Sequence, residues 1–154
     1  RGAPGLGPEI TAVYLDRPLE FSHFGEDAYQ AEVGLLSRRF VIQGDARDSE
    51  PTDVSPVACR NSKYASFPCP NSYLTGYGGH VMFEGTRATG RVSGVEFFRM
   101  GQTNFEGRYP IHWHLVYEGG EGSYVRDSSF HRSFYKCVTI HGTHEVLVSR
   151  NVAY

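Results

Sequence analysis

Short stretches of alternating apolar and polar residues run along most of the chain, and they predict β-strands rather than helices. In the first part of the chain these stretches occupy residues 10–15, 19–24, 33–36 and 40–42. A glycine followed by two acidic residues predicts a break at residues 25–27. Residues 76–154 are again rich in predicted strands. By contrast, residues 45–75 are polar, contain four prolines and are expected to form an irregular insertion.

Weak internal repeats indicate how the predicted strands are arranged. Residues 92–98 match residues 125–131 at an offset of 33, and residues 125–128 match residues 148–151 at an offset of 23. A second kind of strand, at residues 109–114, matches residues 138–141 at an offset of 29. Such spacings are typical of the coils of a parallel β-helix. An antiparallel meander would instead place turns about every 8–12 residues without self-similarity.

Composition supports an all-β fold and narrows the set of partners. The 18 glycines and 8 prolines are too many for long helices, and the 10 tyrosines and 10 phenylalanines favour strands. The formal net charge of −2 lacks the basic character of a nucleic-acid-binding protein, so no nucleic-acid partner is expected. No apolar run comes near the length of about 18 residues that a membrane-spanning segment needs.

The two ends of the chain suggest a segment of a longer protein. It starts with Arg1 and stops at Tyr154 inside a strand-like pattern. We therefore expect any membrane attachment to lie in parts of the protein outside this chain.

Several short blocks occur in an order that resembles a known family. They lie at residues 32–38, 78–80, 95–102, 107–114 and 137–142. The series is similar to the cell-migration-inducing hyaluronidase family, with its transmembrane relative and the fibrocystin-like proteins. The resemblance implies a right-handed parallel β-helix of the pectin-lyase-like kind, preceded by an eight-glycine domain. It also implies an extracellular or cell-surface protein associated with carbohydrate.

This resemblance divides the chain into three parts. Residues 1–44 are expected to hold the end of an eight-glycine-type region and the first coil of the β-helix. Residues 45–75 form the insertion, and residues 76–154 form the further coils of a partial solenoid.

Histidines provide the most informative candidate chemistry. His112 and His114 lie two residues apart in one predicted strand, so both side chains leave by the same face. If the coils stack in register, His80 and His141 join them on one outer face. Such imidazoles could bind a divalent metal, zinc or calcium, with Glu84 or Glu145 nearby as an oxygen ligand.

Two other interpretations of the histidine face stay open. His112 and His114 could instead act as catalytic acid and base near neutral pH. The face could also be a polar surface that merely tolerates histidine.

Carboxylates and arginines complete the candidate site of a polysaccharide-processing protein. Glycoside hydrolysis needs two carboxyl groups about 5–9.5 Å apart, and Glu96 and Asp127 occupy related repeats. Each could equally be a solvated surface charge. Arg108, Arg126 and Arg99 could bind the carboxylate of an acidic sugar. For Arg108, a salt bridge to a glutamate is the alternative.

The three cysteines divide into a pair and a single residue. Cys59 and Cys69 lie ten residues apart inside the insertion, where a disulfide would restrain the loop and would suit an extracellular setting. Cys137 begins a predicted strand and is expected to pack as a buried thiol.

Two functions are compatible with these features. One is an extracellular β-helix segment that binds an acidic polysaccharide such as hyaluronan and contributes to its depolymerisation. The other is a non-catalytic adhesion or scaffold module that contacts a cell-surface protein. The two differ in whether basic, histidine and carboxylate side chains converge on one concave surface.

Overall fold

The computed structural model describes residues 14–26, 28–45, 76–103 and 105–154. The chain divides into two compact units, Arg1–Val33 and Gly34–Tyr154. In the first unit, β1 (Gly25–Glu26) and β2 (Tyr29–Gln30) form an antiparallel hairpin. β1 begins at Gly25, where the sequence predicted a break between strands.

Two of the strands predicted near the beginning of the chain do not form. Residues 19–24 and 33–36 are irregular, and the part of residues 10–15 before Tyr14 lies outside the described residues. Apolar alternation produces a strand only where a neighbouring strand or a core layer covers one face. Here Leu19, Phe21 and Val33 remain exposed, so none of these apolar side chains is covered by a core layer.

The second unit is a parallel β-helix of three sheets, as the repeats predicted. The first sheet contains β4 (Val81–Glu84), β7 (Ile111–Tyr117) and β10 (Val138–Thr143). The second sheet contains β5 (Arg91–Ser93), β8 (Tyr124–Arg126) and β11 (Leu147–Ser149). The third sheet contains β3 (Phe40–Gln43), β6 (Val95–Phe98), β9 (Ser129–His131) and β12 (Val152–Ala153). A short 3-10 turn, Glu118–Gly120, follows β7.

The register of the parallel strands confirms two of the three predicted repeats. Val125 pairs with Val92 and with Val148, which reproduces the offsets of 33 and 23. The offset of 29 in the first sheet is wrong by two residues, because Ile111 pairs with Val138 at an offset of 27. A shift of two residues keeps each side chain on its predicted face but changes its neighbour.

One corner of the coil repeats as a left-handed backbone position. Gly94, Asp127 and Arg150 follow the paired ends of β5, β8 and β11, and their φ angles are 67°, 52° and 51°. Glycine adopts this region freely, and Asp and Asn tolerate it better than most residues. At the last of these positions, Nε and Nη2 of Arg150 donate to the two carboxylate oxygens of Asp127, at 2.6 and 2.9 Å.

The core lies between the three sheets, and similar side chains from successive coils stack on one another there. Phe97 and Phe130 hold equivalent positions in successive coils, with ring centroids 4.7 Å apart and planes inclined by 5°. In the first sheet, Phe83 and Trp113 pair in register with centroids 5.0 Å apart. These layers place Trp113 inside the helix and therefore turn His112 and His114 outward.

Gly78 fits where a larger residue does not. A Cβ atom on Gly78 would lie 2.1 Å from the carbonyl oxygen of Arg99 and 2.9 Å from that of Gly101, and its own N–H donates to Gly101 at 2.8 Å. Backbone atoms cannot move aside as a side chain can. We expect Gly78→Ala to lower the free energy of unfolding by about 1–3 kcal/mol, measured by urea unfolding.

Gly79→Ala is the matched control. A Cβ there would approach only the flexible end of Met100, at 3.4 Å. This variant should unfold within about 0.5 kcal/mol of the parent. Equal losses from the two variants would contradict the proposed close backbone approach at Gly78.

Candidate functional site

The outer face of the first sheet brings three histidines together. On β7, His112 pairs with Met82 of β4 and Thr139 of β10. One pleat further along β7, His114 pairs in the same way with Glu84 and His141. Because alternate residues of a strand share a face, these side chains project from the β-helix together. We call His112, His114 and His141 the histidine face.

The three imidazole rings are close neighbours. The ring centroids of His112 and His114 are 5.1 Å apart, those of His114 and His141 are also 5.1 Å apart, and those of His112 and His141 are 6.3 Å apart. The sequence repeat had aligned His141 with His112, whereas the register places it beside His114. The predicted shared face is therefore correct for these three residues, and their order on it is shifted.

A groove of about 740 Å³ runs beside the histidine face. Its walls come from the loop before β7 and from the segment that leads into β10. It is lined by the histidine face together with Phe105, Glu106, Gly107, Tyr109, Lys136, Thr139 and Ile140. The groove combines aromatic, cationic and hydrogen-bonding groups, the mixture typical of a binding site.

His112 is the buried member of the histidine face. It is 2% exposed, and its Nδ1 donates to the carbonyl oxygen of Gly107 at 3.2 Å, because that oxygen can only accept. Burial lowers the pKa of His112, and the neighbouring histidines His114 and His141 lower it further, against opposing contributions from Gly107 and Glu84. At neutral pH His112 is consequently an uncharged imidazole with a fixed tautomer.

Two buried polar atoms of the groove lining have no hydrogen-bond partner among the described residues. They are Nε2 of His112 and Oγ1 of Thr139, on paired positions of β7 and β10. Buried polar atoms are nearly always paired, so each exception calls for an explanation, such as a bound water or a ligand.

His114 and His80 have partners of their own. Nδ1 of His114 lies 3.2 Å from Oε1 of Glu84, one strand away. Arg108 donates a hydrogen bond to His80, with Nη1 of Arg108 2.6 Å from Nε2 of His80. Burial first, and the charge of Arg108 second, lower the pKa of His80. His80 therefore acts as a neutral acceptor for Arg108.

Glu96 and Asp127, the predicted catalytic carboxylates, are hydrogen-bonded to partners away from the first sheet. Glu96 lies on β6 of the third sheet, where Oε1 lies 2.8 Å from Nε2 of His131 and Oε2 accepts the backbone N–H of Arg38 at 3.1 Å. Asp127 lies at the left-handed corner after β8, and its hydrogen bonds from Arg150 lower its pKa. Neither carboxylate belongs to the groove lining.

The three predicted sugar-binding arginines also lie outside the groove lining. Arg99 follows β6, Arg108 precedes β7 and Arg126 ends β8. Each guanidinium instead lies over a nearby aromatic ring, at 4.8 Å from Phe98, 5.6 Å from Phe105 and 4.5 Å from Tyr124 respectively. In the part of the chain that the structure describes, Lys136 is the one lysine or arginine that lines the groove.

Comparison with known proteins agrees with this architecture. The family model for the CEMIP β-helix matches residues 76–154, slightly more than half of the chain. The chain belongs to the CEMIP β-helix family. The resemblance found in the sequence is thereby confirmed, and so is the parallel β-helix that it implied.

Relatives of this CEMIP β-helix chain are much longer proteins. A G8 domain-containing protein of Dictyostelium discoideum is 40% identical over 142 residues, which cover 92% of this chain and 8% of the relative. Communication mutant protein F of the same organism is 38% identical, covering 92% of this chain and 10% of the relative. Human fibrocystin-L is 33% identical, covering 92% and 4%. No solved structure matches the chain.

Among the described residues of this CEMIP β-helix segment, no three His, Cys, Asp or Glu side chains are placed to hold a metal ion together. The predicted calcium or zinc site receives no support from the geometry. The predicted Cys59–Cys69 disulfide lies outside the described residues, whereas Cys137 is a partly buried free thiol packed against the core. No helix in the described ranges is long and apolar enough to cross a membrane.

Several groove residues of the CEMIP β-helix segment were missed by the sequence analysis. Lys136 and Phe105 come from connecting segments, and neither lies in a strand whose period could reveal its direction. Nζ of Lys136 lies 5.8 Å from the ring of Tyr109 and 5.7 Å from that of Tyr135, and these two rings stack at 5.3 Å. The aromatic and cationic residues grouped at 105–109 and 134–136 were the available signal.

Proposed function

We propose that the groove beside the histidine face binds an acidic polysaccharide of the hyaluronan type. The observation that carries the proposal is the composition of the groove. Three imidazoles, Lys136, Tyr109 and Phe105 line the same groove, whose volume is about 740 Å³. Aromatic side chains present apolar surface with a specific geometry, and cations attract carboxylates. The volume falls within the range of ligand pockets, about 300–1,000 Å³.

Binding without cleavage is the role we assign to this segment. Hydrolysis by a carboxyl pair needs two such groups about 5–9.5 Å apart across the scissile bond. Among the described residues, Glu106 is the one carboxylate of the groove lining, while Glu96 and Asp127 serve as hydrogen-bond acceptors elsewhere. A polysaccharide ligand of this kind implies an extracellular or cell-surface setting for the full protein.

Loss of the groove cation tests the proposal. Lys136→Ala should weaken the binding of high-molecular-weight hyaluronan by about two- to fivefold at low salt, because one exposed charge contributes about 1 kcal/mol or less. Arg87→Ala is the matched control, since it removes the same charge from an exposed residue outside the groove lining. Binding is measured by biolayer interferometry on immobilised polymer, and polymer length is followed in the same samples.

Each result has a definite consequence. Equal binding by the parent and both variants would overturn the groove as the binding site. Shortening of the polymer by the parent would show that the segment cleaves its ligand and is more than a binding module.

A scaffold role is the second candidate, and one observation favours it. Its stacked coils give the β-helix extended outer faces. Proteins built from stacked repeats use such surfaces to bind other proteins. Absence of any polysaccharide binding would favour contact with a cell-surface protein instead.

A further inference from the structure

The charge of the groove poses a problem for binding a polyanion at neutral pH. Among the described residues that line it, Lys136 and Glu106 carry full charges, and these have opposite signs. The whole chain has a formal charge of −2. Strong attraction of an acidic sugar therefore needs a further source of positive charge within the groove. The histidine face is that source, because histidine changes its charge between about pH 5 and 8.

His114 and His141 are the members of the histidine face that are accessible to a ligand. They pair in register on β7 and β10, with ring centroids 5.1 Å apart and planes inclined by 52°. His141 is exposed, and the side chain of His114 is 28% exposed. A carboxylate placed at these two rings could accept a hydrogen bond from each of them.

His112 sets the boundary of this subsite. It is buried, and its Nδ1 hydrogen is committed to Gly107. Its burial disfavours a positive charge, as the lowered pKa also indicates. His112 is therefore not the member of the histidine face that would carry the charge.

Other titratable or charged groups also face the pair, and they define the competition. Glu84 on β4 already accepts from His114, at 3.2 Å, so one partner of His114 is in place before a ligand arrives. The other titratable groups of the described groove lining are His112, on the same strand as His114, and Glu106, Tyr109 and Lys136 from the connecting segments. Thus His141 is the ring that is open to a ligand, and Glu84 orients His114 beside it.

We infer that His141 and His114 form a subsite for the carboxylate of the acidic sugar, which they bind in their protonated form. This inference rests on the proposed function and adds to it the binding group and its dependence on pH. A sugar carboxylate stays ionised above about pH 5, as side-chain carboxyl groups do. The negative ligand stabilises the imidazolium, so the complex holds more protons than the free protein.

The sign of the pH dependence follows from this linkage. Where the complex binds more protons than the free protein, affinity rises as the pH falls. The gain is complete below the titration range of the free histidines and disappears as the pH rises through that of the complex. If binding shifts one histidine by about one pH unit, the affinity changes by about tenfold across this range.

Titration calorimetry with hyaluronan oligosaccharides tests the inference. The measurement is made at about pH 5.5, 6.5 and 7.5, within the range where histidine titrates. At each pH two buffers of different ionisation enthalpy are used, so that proton uptake is measured directly. We expect uptake of about half a proton near pH 6.5, and affinity about fivefold higher at the lowest pH than at the highest.

Two variants and one control separate the subsite from a general effect of charge. His141→Ala should bind weakly at every pH and take up less than half as many protons. His141→Lys should bind with much less dependence on pH, because its charge is permanent there. His144→Ala is the control, since His144 is an exposed histidine near Glu118 and outside the groove lining, at 3.8 Å from that carboxylate.

The outcomes distinguish this inference from the proposed function. Binding of hyaluronan with equal affinity and no proton uptake at all three pH values would overturn the inference and leave the groove proposal intact. Equal binding of carboxyl-reduced hyaluronan would overturn the inference and would also remove the acidic group from the proposed function, leaving a groove that binds the sugar chain itself. Loss of proton uptake in His144→Ala as large as in His141→Ala would also overturn it. No binding at any pH would overturn the proposed function itself.

Discussion

Replacing Trp113 with alanine should lower the free energy of unfolding by about 3–5 kcal/mol. Trp113 is 0% exposed, lies in the middle of β7 and packs against Phe83 of the preceding coil. Its removal deletes the largest fully buried side chain in the described residues and leaves a cavity between coils. Because Trp113 is also the single tryptophan of the chain, unfolding is followed by circular dichroism in urea rather than by fluorescence.

Trp113→Phe is the control for this prediction. It keeps an aromatic ring against Phe83, and it removes the indole N–H, which is buried without a hydrogen-bond partner among the described residues. The cost should be no more than about 1.5 kcal/mol. A loss below about 1 kcal/mol for Trp113→Ala would contradict the packing of β7 into the core.

The parallel coils could be predicted because their repeats are visible in the sequence. Each coil places the same kind of residue at the same position, as with Val92 and Val125 or Phe97 and Phe130, and direct pairing of these residues produces the offset of 33. The histidine face followed from the period of two along β7. The error of two residues in the register of β10 against β7 could not be detected from the pattern, because a shift of two residues leaves His141 on the same face.

The partners of the charged residues could not be predicted in the same way. The partners of Glu96 are the backbone N–H of Arg38 and the ring of His131, two residues that are far apart in the sequence. The groove depends on connecting segments such as the one with Lys136, whose backbone has no regular period. The failed strand at residues 19–24 has a related cause, because alternation alone does not show whether a layer covers it.

The same contrast explains why the site differs from its prediction. Strand positions fix which side chains share a face, so three of the four histidines proposed for one face are found together. Residues at corners and in connecting segments, including Asp127 and Arg108, were assigned to a site on chemistry alone. Their actual contacts stabilise the coil or cover an aromatic ring. The β-helix thus separates a structural set of charges from the groove.

Glu96→Ala is the second variant expected to have a large effect, and the effect should be on stability. The side chains of Glu96 and His131 are 14% and 15% exposed, and the carboxylate accepts from Nε2 of His131 and from the backbone N–H of Arg38. Removing it leaves two partly buried donors without their acceptor. The expected loss is about 2–4 kcal/mol in urea unfolding, because each buried unpaired group costs about 1–3 kcal/mol.

Glu96→Gln separates the structural role from a catalytic one. The amide keeps one acceptor oxygen but turns a donor toward one of the two N–H groups, so about half of the loss should remain. Both folded variants should bind hyaluronan as the parent does, because Glu96 lies on the third sheet and the groove lies beside the first. If instead Glu96→Gln kept full stability and lost binding or cleavage of the polymer, the carboxylate would have the catalytic role that its position in the repeat suggested. The contacts with His131 and Arg38 would then orient a reactive group, and the working surface of the protein would have to include the third sheet.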